Sequence, residues 1–109
     1  MEFIHKNLAA GRWFELSLAE QMGNIGSEVS RSSLFENKDQ KLFWGAIERA
    51  LELFDLTLAD PRWVGRRFEI ARAREVFCDA IYGGELYNSS FPDIIRYFDL
   101  FALAARKDF

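Results

Sequence analysis

The sequence predicts an all-α fold: an antiparallel helical bundle of about four helices, over residues 12–32, 39–59, 66–82 and 91–107. Three observations predict it. Apolar residues recur three and four apart over long stretches, no stretch alternates at the period of a strand, and turn signals fall between the periodic segments. A chain of 109 residues fits a single domain, 1–109, with residues 1–11 as an arm or an extra turn. Short connections make consecutive helices antiparallel neighbours.

The first helix is expected to start at Arg12. Leu18, Met22, Ile25 and Val29 share one face, and Ala19, Gly23, Gly26 and Ser30 run beside them at the same spacing. These small residues form a helix-packing groove. Each glycine costs about 1 kcal/mol against alanine inside a helix, so a neighbouring backbone should approach closely there. The competing reading is that Gly23-Asn24-Ile25-Gly26 breaks the helix. Glu15 falls on the inner sector of this helix, where it either complements the helix dipole or sits in a closed end.

Asn37-Lys38-Asp39 supplies caps for the second helix, which stops at Asp60-Pro61. Trp44, Ile47, Leu51, Phe54 and Leu58 form its main stripe. Leu42, Leu53 and Leu56 lie on another side, so the helix is wet only along Glu48, Arg49 and Glu52. The third helix turns Ile70, Ala73, Phe77 and Ile81 inward and stops at Gly83-Gly84. Ser90-Phe91-Pro92-Asp93 reads as a capping box for the fourth, with Ile94, Phe98, Phe101 and Ala105 in register. Leu100 and Leu103 fall outside that register.

Composition narrows function by exclusion. A net charge of −3 disfavours nucleic acid as the main partner, although Arg62, Arg66, Arg67, Arg72 and Arg74 face only Glu69 within their segment. The single cysteine, Cys78, excludes an internal disulfide and suits a reducing compartment. It reads as an inert core thiol. No apolar run approaches membrane-spanning length, so a cytoplasmic protein without a membrane partner is expected. The lone His5 does not match the paired Glu-x-x-His motifs of di-iron bundles, and no cofactor is expected.

Misplaced charges carry the remaining signal. Folding the third helix back on the second brings Glu52 and Asp55 near Arg67 and Arg74, as interhelical ion pairs that set register. An alternative uses Glu48, Glu52, Asp55, Glu75 and Asp79 as metal ligands, holding Mg²⁺ beside a nucleotide phosphate.

Trp13-Phe14-Glu15-Leu16-Ser17-Leu18-Ala19-Glu20-Gln21, then Asn24-Ile25-Gly26-Ser27-Glu28-Val29, form one recognisable string. Ala50-Leu51-Glu52-Leu53-Phe54-Asp55 through Asp60-Pro61-Arg62, and Arg74-Glu75-Val76-Phe77-Cys78-Asp79, form two more. Together they resemble a family of small uncharacterised prokaryotic all-helical proteins, from about Trp13 to Arg106. The resemblance implies a prokaryotic cytosolic origin and brings no activity with it.

These readings favour a non-enzymatic helical bundle acting through self-association or a protein partner. The alternatives are a Mg²⁺-dependent nucleotide-phosphate hydrolase and, more weakly, an RNA-binding regulatory bundle. The expected assembly is a homodimer burying at least ~1,000 Å². Leu100, Leu103, Leu53 and Leu56 are its interface candidates, since clustered apolar surface marks a contact.

Overall fold

Helix α1 (Leu18–Phe35) begins where its local chemistry dictates. The Ser17 hydroxyl accepts the Glu20 amide proton at 3.1 Å, and the Glu20 carboxylate accepts the Ser17 amide proton at 3.0 Å. This reciprocal capping box is worth about 1 kcal/mol. The computed structural model describes residues 11–82 and 94–99, and among them every regular element is helical. The helix expected from residue 12 therefore starts later. Residues Arg12–Glu15 form a separate 3-10 turn, and extended Leu16 leads into the cap. The break turns the Trp13 ring into the core, where it is fully buried. Glu15, expected on the inner sector, is exposed on that turn.

The Gly23–Gly26 stretch does not break α1, which runs on to Phe35. Its purpose is steric. A Cβ added at Gly26 would lie 2.6 Å from the Cβ of Phe98. Phe98 belongs to the helical segment 94–99, here α4, which enters the core with Ile94 and Phe98.

Helix α2 (Gln40–Ala59) is capped by Asp39, whose carboxylate accepts the Leu42 amide proton. Its buried face is offset from the expected stripe. Phe43, Ala46, Ala50, Leu53 and Thr57, spaced 3-4-3-4, are buried together with Ile47, Phe54 and Leu56, while Trp44 is exposed. Ala46 and Ala50 open a flat lane for close helix approach. Leu53 and Leu56 are only 3% and 6% exposed, so these two interface candidates are core residues instead.

A 3-10 turn, Pro61–Arg66, carries the chain into α3 (Arg67–Ile81), slightly later than the expected start. Ile70, Ala73 and Phe77 face inward. Phe54 joins the elements, with ring centroids 5.9 Å from Phe77 and 5.8 Å from Phe98. Helices α1 and α2 run antiparallel, as Trp13 meets Thr57 and Glu28 meets Arg49. Helices α2 and α3 do too, as Asp55 meets Arg74 and Trp44 meets Tyr82. No helix among the described residues is long and apolar enough to cross a membrane.

One corner of this arrangement is polar and buried. Asp60, only 1% exposed, accepts hydrogen bonds from the Arg62 backbone amide, from the Arg62 guanidinium and from Gln21 Nε2. Gln21 also donates to the Trp13 carbonyl, and its Oε1 accepts the Trp63 indole N–H at 2.8 Å. The Trp13 indole N–H is taken by the Thr57 hydroxyl, which itself donates to the Leu53 carbonyl. The Arg62 guanidinium reaches the Leu16 carbonyl at 2.7 Å and lies over the Trp63 ring at 4.4 Å.

Two outcomes follow from this packing. Gly26→Ala should lower stability by about 1–3 kcal/mol in denaturant unfolding, because the Cβ of Phe98 is fixed to its helix and cannot swing aside. A stabilised alanine variant would show that α4 does not press on Gly26. For the buried corner, the Arg62 guanidinium holds the Asp60 carboxyl below its ordinary value of 3.8, against the opposing cost of burial. Its stabilisation is therefore complete above the unfolded value and is lost as pH falls through the folded one. Asp60→Asn should cost about 1.5–3 kcal/mol at neutral pH. That gap should narrow below about pH 4, and a gap that stays constant in acid counts against the assignment.

Candidate interaction surface

Because α3 buries Ile70, Ala73 and Phe77, helical periodicity turns another set outward. Phe68, Arg72, Glu75 and Asp79 follow one another at 4-3-4 spacing along this second stripe, and Tyr82, the cap residue just past α3, comes three positions later. Phe68 is 84% exposed and Tyr82 75% exposed, and Arg72 and Glu75 between them are exposed as well. Val64, one turn before Phe68, also faces solvent. Tyr82 does not stand alone, since its ring lies 6.5 Å from that of the exposed Trp44 on α2. The surface thus has an aromatic group at each end and charges between them.

The edge shared by α2 and α3 is stitched by polar contacts. Arg74 Nε donates to Asp55 at 3.2 Å. Arg67 Nε donates to the Leu58 carbonyl in the last turn of α2, at 3.1 Å. Within the expected set Glu52, Asp55, Arg67 and Arg74, the structure thus joins Asp55 to Arg74 and turns Arg67 to a backbone acceptor. The Asp55 side chain is 61% exposed and that of Arg74 34%, so the carboxylate of the expected pair stands at the surface and only the arginine is partly buried. Nearer the core, Glu28 bridges α1 to α2 through Arg49 at 3.2 Å.

The metal-ligand alternative needs Glu48, Glu52, Asp55, Glu75 and Asp79 to converge. Among the described residues, no group of three or more His, Cys, Asp or Glu side chains is placed to hold a metal ion. The physical reason is directional: Glu75 points out along the Phe68 stripe, while Asp55 turns to Arg74.

Along α1, the Ala19, Gly23, Gly26 and Ser30 groove receives Phe98 at Gly26. Beyond it, Gly23, Ser27, Ser30, Arg31 and Leu34 join Phe98 and Asp99 around an open cleft of about 440 Å³. Cys78 is partly buried between the outward stripe and the core, and burial pushes its thiol up. The nearby Arg74 opposes that shift more weakly. The group stays a protonated thiol at neutral pH.

Leu100, Leu103, His5, the Gly83-Gly84 stop and the Ser90 capping box lie outside the described residues. Sequence reasoning missed Phe68, Tyr82 and Val64 as surface groups. The available signal was that Phe68 falls off the Ile70, Ala73 and Phe77 register with Arg67 and Glu69 beside it. No family model, curated protein or solved structure matches the chain.

Exposure sets the size of the Asp55–Arg74 coupling. A double-mutant cycle with alanine at both positions should return less than ~1 kcal/mol, falling further in high salt. A larger, salt-insensitive coupling would mean that the pair is shielded from water.

Proposed function

We propose that this chain is a non-enzymatic helical interaction module that works through self-association. One observation carries the reading: Phe68 stands in water on the outward stripe of a helix that buries Ile70, Ala73 and Phe77 on its other face, and Tyr82 is exposed just past its end. Fully burying a Phe side chain is worth about 1.5–3 kcal/mol, so covering the exposed aromatic group at either end of this face would favour association. The aromatic ends of α3 replace Leu53 and Leu56 as the interface candidates. The single thiol of Cys78 fits a reducing, cytoplasmic setting. The nucleotide-hydrolase alternative has no assembled carboxylate set among the described residues to support it.

Sedimentation of the full chain at micromolar concentration tests the proposal. We expect a dimer, with no turnover across a nucleotide panel with or without Mg²⁺. A chain that stays monomeric there ends the self-association reading, and Mg²⁺-dependent turnover ends the non-enzymatic one.

A further inference from the structure

We draw no further inference here: the strongest candidate, the surface patch of exposed aromatic rings from Phe68 on α3 to Tyr82 and Trp44 beside its end, belongs to the surface already described, and nothing in the structure shows what covers it.

Discussion

The structure turns on a buried carboxylate. Asp60 is almost completely removed from water, and an unpaired carboxylate there would cost several kcal/mol. It is retained because both oxygens are occupied, by the backbone and guanidinium of Arg62 and by Gln21 Nε2. Those partners come from different parts of the chain. Gln21 sits in the second turn of α1, Asp60 ends α2, and Arg62 begins the turn into α3. Gln21 then holds the Trp13 carbonyl and the Trp63 indole, placing the entry to α1 and the Pro61–Arg66 turn on the same point. A shift of any one element would strand a buried polar atom, so the exit direction of α2 and the return of α3 are set together.

That dependence explains which parts of the fold were legible in the sequence. The all-α class and the antiparallel order followed from periodicity and short connections, which are local properties. The burial of Ile70, Ala73 and Phe77 did as well, because α3 has a single apolar stripe. Helix α2 is apolar on most of its circumference, so periodicity could not choose its inner face. The small side chains of Ala46 and Ala50 carry little hydrophobic weight, yet they mark the lane of close packing. Gln21 and Asp60 were illegible for a different reason. Each looks like a surface or turn residue, and it takes a network that joins distant positions, Gln21 to Asp60 across 39 of them, to make them interior. The start of α1 was an available signal passed over. Ser17-x-x-Glu20 spells a capping box, but the apolar register upstream gives no sign of stopping.

The groove of small residues on α1 belongs to the same economy of close approach. A glycine inside a helix is unfavourable by about 1 kcal/mol, and its spacing with Ala19 and Ser30 pointed to a neighbour. The structure supplies that neighbour as Phe98, whose ring also contacts Phe54. Gly26 therefore lets one aromatic side chain bind α4 to both α1 and α2. The sequence could locate the groove because helical spacing is local, but not its occupant, which comes from more than seventy positions away.

The arginine-rich segment shows how local engagement shapes what remains for a partner. Arg62 is drawn to Asp60, Arg66 to Glu69 at 2.9 Å, Arg67 to the Leu58 carbonyl and Arg74 to Asp55. Their charge stitches corners and helix edges, so the segment is less an electrostatic field than a set of short contacts. Phe68 lies within this segment and joins none of its polar contacts. Once Ile70, Ala73 and Phe77 are buried, residue 68 must face outward, about 200° around the helix from Ile70. A folded monomer would be served at that position by any polar helix former, at no loss of core packing. The fold thus explains why residue 68 is exposed but gives no account of why it is aromatic. The self-association proposed for this face provides one, since covering the Phe68 ring would remove apolar surface from water.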